Sequence, residues 1–218
     1  MLYLLFFAQI IIIYLVSQKT IQKIFTALFR VVRSSRVSGY IVALLFLPGT
    51  ALHELSHFLM AVALLLNVKE LNLIPKTTKE EHGGYYIKLG SVTYEQKDFF
   101  RSILVGVAPF FTGLGFLFFI FNGNFFPHTD WKINIIIVYL LYSTTSSMFS
   151  SRKDLEGAII LVPLFILIFS LLIGFKIDLQ NLFFSEKALD FMQKMNLYLA
   201  WATIGNTLVY TLLRLVKI

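Results

Sequence analysis

The sequence predicts an all-α polytopic membrane protein of about six transmembrane helices, with a small β-hairpin between the second and the third. Three observations carry that expectation. Of the 218 residues, 57% are hydrophobic and 14% charged, whereas a soluble domain has about a quarter of its residues charged. That leaves too little polar surface to cover a globule in water. The apolar residues, 23 Phe among them, gather in runs close to the ~20 residues that cross a bilayer. The basic residues fall between those runs, as charges flanking a membrane do, and form no patch suited to nucleic acid. The expected surroundings are therefore a lipid bilayer, with the chain as a multi-pass protein of the cell membrane and no nucleic-acid partner.

Six segments satisfy the span criterion to differing degrees: 2–16, 40–66, 102–121, 133–150, 157–175 and 197–213. The first begins at Met1 with no basic stretch before it and no small-residue cleavage site after it, so it reads as an uncleaved anchor. Residues 17–38 hold Lys19, Lys23, Arg30, Arg33 and Arg36 and no acid, a composition that suits a short amphipathic helix on the membrane surface. In the second span, Pro48-Gly49-Thr50 can kink or restart the helix, with Thr50 as its N-cap. Residues 67–101 form the longest polar segment. There Gly83-Gly84 stands beside Tyr85-Tyr86-Ile87, a pattern of strand or hairpin. The fourth span decays into Ser143-Thr144-Thr145-Ser146-Ser147, tolerable at membrane depth where it faces protein or a wet cavity. In the last span, Asn196 and Asn206 read as polar glue between helices, and Trp131, Tyr198 and Trp201 as interfacial anchors. Lys and Arg divide nine against ten between the two sides, so charge does not orient the chain. No repeat or linker divides it. A single domain over 1–218 is expected, with an N-terminal anchor at 1–38, a core at about 40–175 and a C-terminal helix at 197–213.

The second span carries His53-Glu54-Leu55-Ser56-His57. Residues four apart lie about 40° apart around a helix, so His53 and His57 share a face and can both reach one zinc ion. Glu54 projects about 100° away, beside the metal, where a general base for water belongs. The chain has no Cys and four His, so further ligands must be His or carboxylate, and a catalytic zinc takes three protein ligands. Asp154 is the choice for the third, since it follows the polar interruption and opens the next apolar run. His82, Asp98 and Glu156 are its rivals. Two His and a Glu inside an apolar span are costly unless they face the protein interior and serve a function.

These residues resemble the site-2 protease family of intramembrane zinc metalloproteases, over roughly Thr50 to Gly157. The HELSH sequence lies inside an apolar helix as in that family. Gly83-Gly84-Tyr85-Tyr86-Ile87-Lys88 is similar to its glycine-rich hairpin, and Ala108-Pro109-Phe110-Phe111-Thr112-Gly113 to its Gly-Pro-x-x-Asn stretch. Asp154 falls where the family's third ligand stands, with Ser146, Phe149 and Leu155 in place of the family's Asn, Pro and Gly. The resemblance implies a minimal member without a PDZ domain, with both termini, the hairpin and the Asp154 loop in the cytoplasm. It implies zinc (Zn2+) on His53, His57 and Asp154, and Glu54 as catalytic base. The expected reaction is hydrolysis of peptide bonds in membrane-spanning or membrane-associated protein substrates, held extended by Gly84, Tyr85, Tyr86 and Ile87 and contacted by Ser146. The altered Asp motif supports an alternative, a catalytically inactive membrane scaffold or chaperone that keeps the metal site.

Overall fold

The computed structural model describes residues 1–79, 85–95, 97–148, 167, 170–175 and 178–215. Helix α1 runs from Leu2–Val32 as one element. The surface helix expected at 17–38 is therefore not separate. Nothing between Val16 and Val32 breaks a helix, and its polar residues Ser17 and Thr20 are buried. Their hydroxyls donate to carbonyls of the same helix, Tyr14 O at 3.1 Å and Val16 O at 2.8 Å. The break comes at Arg33, in the left-handed region with φ 53°, and Ser34 caps the next helix by accepting from Val37 N.

The second apolar span is two helices, α2 (Ser35–Leu45) and α3 (Leu47–Ala63), bent by 72°. The bend falls at Phe46 and not at Thr50. Thr50 is already inside the first turn, its hydroxyl donating to Phe46 O and Leu47 O. Pro48 sits in that first turn, where its missing N–H removes no ladder bond.

Four strands follow: β1 (Val68–Asn72), β2 (Lys76–Lys79), β3 (Tyr85–Lys88) and β4 (Ser91–Tyr94). They form two nested antiparallel pairs, β2 with β3 and β1 with β4, in place of the single hairpin expected. Thr78 stands opposite Tyr86 in the inner pair and Leu71 opposite Val92 in the outer. Beyond the outer pair, Lys69 Nζ lies 3.0 Å from Glu95 Oε1. That hydrogen bond and the lysine's charge hold the Glu95 carboxyl below the usual carboxylate range.

Helix α4 (Phe99–Asn122) is capped by Asp98, which accepts from Arg101 N at 2.9 Å, and α5 (Trp131–Ser147) by Asp130, which accepts from Lys132 N at 2.9 Å. A short α6 (Leu179–Phe184) leads to the 30-residue α7 (Glu186–Leu215). Among the described residues two helices, α1 and α4, are long and apolar enough to cross a membrane, and the bent α2–α3 pair makes a third if counted as one span. Most of the fifth expected span, 157–175, lies outside the described residues.

Ile13 of α1, Leu117 and Ile120 of α4, Ile137 and Leu141 of α5 and Leu199 and Ala202 of α7 form one apolar core. Tyr198 belongs beside it. It is buried, with its ring stacked on Phe121 at 4.7 Å, so it is a packing residue and not the interfacial anchor its place in the sequence suggests. Asn196 donates to Leu2 O at 3.0 Å, and Asn206 donates to Thr145 Oγ1 at 3.1 Å. Both tie helices together as expected.

Candidate metal centre

Helix α3 holds the centre from three sides. On one side runs α5, in the same direction: Tyr139 Oη donates to Leu45 O at 2.9 Å, and one turn on Ser143 meets Phe46 and Gly49. Ser143 Oγ accepts from Gly49 N at 2.9 Å and donates to Phe46 O at 3.2 Å. The first of these two groups is left over by the bend, whereas Phe46 O also accepts from Thr50 N at 2.9 Å. Gly49 N belongs to the first turn of α3, where N–H groups lack ladder partners, and Phe46 at the N-cap position supplies no side-chain cap. Ser143 therefore caps α3 from another helix. The approach is close enough that a Cβ on Gly49 would collide with the Ser143 carbonyl. All five residues from Ser143 to Ser147 are buried, as the polar run required.

One turn beyond Gly49 on the same face comes His53, 5% exposed, and one turn further His57. The imidazole Nε2 atoms of His53 and His57 lie 3.1 Å apart, with their rings nearly perpendicular. His57 Nδ1 lies 2.8 Å from Val105 O on α4. A backbone carbonyl only accepts, so in this contact Nδ1 carries the hydrogen and the Nε2 lone pair of the neutral ring points at His53. That lone pair is what a metal needs, and a carbonyl behind the other nitrogen is the usual support of a metal-binding His. Two nitrogens bound tetrahedrally to one zinc ion at ~2.0–2.1 Å lie about 3.3 Å apart. The pair fits zinc in donor chemistry and spacing, and His57 also in tautomer.

Glu54 faces the sheet. A Cβ on Gly90, in the β3–β4 connection, would meet Glu54 Cγ at 2.5 Å, so the strand layer rests directly on this side chain. At the far end of α3, Arg101 Nη1 donates to Leu64 O at 3.1 Å and Lys97 Nζ to Leu65 O at 3.2 Å. These bonds cover carbonyls that a helix C-terminus leaves open.

The structure thus brings His53 and His57 together, with Glu54 next to His53 in the chain and facing the strand layer. Ser146 is buried one helix away, donating to Asn206 Oδ1 on α7 at 3.0 Å. Tyr85, Tyr86 and Ile87 lie on β3, which packs beside α2. Asp154, Gly84, His82 and Glu156 lie outside the described residues. Asp98 is the cap of α4 and pairs with Arg101 Nε at 3.0 Å, and His128 belongs to the α4–α5 loop, accepting from Asp130 N. Among the described residues no group of three or more His, Asp or Glu side chains gathers. Sequence reasoning missed Ser143, Val105 and Gly90, which contribute a hydroxyl, a carbonyl and the absence of a side chain. Of these, only Ser143 belonged to a stretch whose composition stood out.

The chain matches no protein-family model, no curated protein and no solved structure.

Proposed function

We propose that the chain is an intramembrane zinc metalloprotease of the site-2 protease kind, crossing the cell membrane about six times. The observation that carries this reading is the His53–His57 pair. Its two Nε2 atoms converge at 3.1 Å with the His57 tautomer set by Val105 O, inside an apolar helix and next to a carboxylate. Burying two imidazoles and a Glu at that depth is costly, and a metal site explains all three at once.

His53 and His57 would hold the ion together with Asp154, which stands seven residues past Ser147. The contacts of Tyr139 with Leu45 and of Ser143 with Gly49 run α5 alongside α3 in the same direction, so the C-terminal end of α5 heads toward the pair. Bound there, zinc supplies Lewis acidity and lowers the pKa of the attacking water toward about 7. Glu54 takes the water's proton as general base and returns it to the leaving amine. The burial of His53 and the sheet over Glu54 limit access of bulk water, which strengthens each charge interaction in the site. A transmembrane substrate must unwind before it is cut, because helical peptide bonds are shielded by their own ladder. Gly84 and the β3 residues Tyr85, Tyr86 and Ile87 would take the unwound segment as an added strand.

The test uses purified protein and a co-expressed single-span substrate. Glu54→Gln should keep one zinc per chain and stop cleavage, whereas Asp154→Ala should lose the zinc. Undiminished cleavage by Glu54→Gln would sink the assignment of the base. Wild-type protein with clearly less than one zinc per chain would favour a scaffold or chaperone that retains only the remains of a site.

A further inference from the structure

Pro109 is the one proline in the interior of a described helix, and it sits four residues after Val105, whose carbonyl meets His57. In an α-helix the carbonyl of residue i−4 accepts from the N–H of residue i. Proline has no N–H, and its ring presses on that same carbonyl and tilts it away from the helix axis. The carbonyl that Pro109 deprives of its ladder donor is therefore Val105 O, the atom that lies 2.8 Å from His57 Nδ1. The coincidence has an energetic side. A proline inside a helix is costly because it removes a ladder bond and crowds the carbonyl one turn back, and the cost is highest where that carbonyl is buried and finds no other donor. Val105 is 1% exposed and Pro109 is buried, so water does not make up the loss. His57 does.

We infer that Pro109 is a positioning residue for the metal centre: by freeing the Val105 carbonyl it fixes His57 as the Nδ1–H tautomer and keeps His57 Nε2 open toward His53. The other neutral tautomer would place a hydrogen on Nε2, where the ion is to bind, and would leave Val105 O without a donor. Each residue corrects the other's defect. The proline leaves an acceptor without a partner, and the imidazole has two forms of which only one binds metal.

The inference rests on the metal reading above, and its test separates the two. In wild-type protein stripped of metal, nitrogen NMR of labelled His should show neutral His57 as the Nδ1–H form. Pro109→Ala restores an N–H that competes for Val105 O and removes the ring that tilts it. It should mix the two tautomers and weaken zinc binding by about ten- to a hundredfold, without lowering the thermal midpoint of the metal-free protein. A proline that only bends α4 would leave the tautomer and the zinc affinity unchanged. An Nε2–H tautomer in the wild type would overturn the inference by itself, even if the variant failed to fold. Zinc affinity of Pro109→Ala within twofold of wild type would also overturn it. Should the wild type bind no zinc, the metal reading fails, while the tautomer measurement still judges the link between Pro109 and His57.

Discussion

The helices that frame the molecule and the helices that hold the pair differ in how they treat their backbones. Helix α1 is unbroken over 31 residues, and the hydroxyls of Ser17 and Thr20 donate to carbonyls of their own helix. In α7, Thr203 and Thr211 do the same, to Leu199 O and Thr207 O at 2.7 Å each. These bonds cross no interface. Around the candidate site the backbone is interrupted twice, by the bend at Phe46 and by Pro109, and each interruption is answered by a side chain of a neighbouring helix. Ser143 of α5 serves the bend, and His57 of α3 serves the carbonyl freed at Val105. Away from water a helix defect persists only if a neighbour satisfies the polar groups it releases. Defects of this kind therefore fix the mutual placement of helices more sharply than apolar contact does.

The largest expected effect comes from adding a side chain where two backbones touch. Gly49→Ala places a Cβ against the carbonyl and hydroxyl of Ser143. Backbone cannot yield as the end of a flexible side chain can, so α3 must back away from α5 and lose its cap as well. The expected loss is about 3–5 kcal/mol. It would be read as a fall in the thermal midpoint in detergent, together with weaker zinc binding because His53 lies one turn along. A Gly49→Ala protein as stable as wild type would show that the contact is not tight.

Ser143→Ala comes next. It leaves the helix positions alone but orphans the buried Gly49 N–H, while Phe46 C=O keeps Thr50 N and Thr50 Oγ1 as donors. Leaving a buried polar group unsatisfied costs about 1–3 kcal/mol, and a loss of that size is expected. Ser143→Thr, which keeps the hydroxyl, should recover part of it. Equal losses for the Ala and Thr variants would point to packing and not to the cap.

How much of this was legible in the sequence follows from the same contrast. The pair of His four apart, the adjacent Glu and the inward-facing polar run could be read directly, because helical spacing decides them locally. The place of the bend could not. Pro48-Gly49-Thr50 is the obvious breaking point, yet the chain turns at Phe46, because Ser143 and Tyr139, 94 to 97 residues away, supply bonds there. The continuation of α1 through its basic segment was hidden for a related reason. Lys and Arg suggested a surface helix, while Ser17 and Thr20 turn inward and satisfy themselves. Tyr198 looked like an anchor by its position and became a packing residue because Phe121 lies flat against it.

The smallest effect is expected on the frame. Thr20 is fully buried and donates to Val16 O at 2.8 Å, so by burial alone Thr20→Val resembles the removal of the Ser143 hydroxyl. The difference lies in what is left behind. Val16 O keeps its ladder donor in the backbone N–H of Thr20, four residues on, and valine fills nearly the same space as threonine. No group is orphaned, and replacing a hydroxyl without leaving an unsatisfied partner is close to neutral. The thermal midpoint should therefore move by less than a third of the shift seen for Ser143→Ala under the same conditions. Equal shifts would mean that buried hydroxyls matter here simply for being buried. The contrast between frame hydroxyls that bond within their own helix and a Ser143 hydroxyl that caps another helix would then have to be given up.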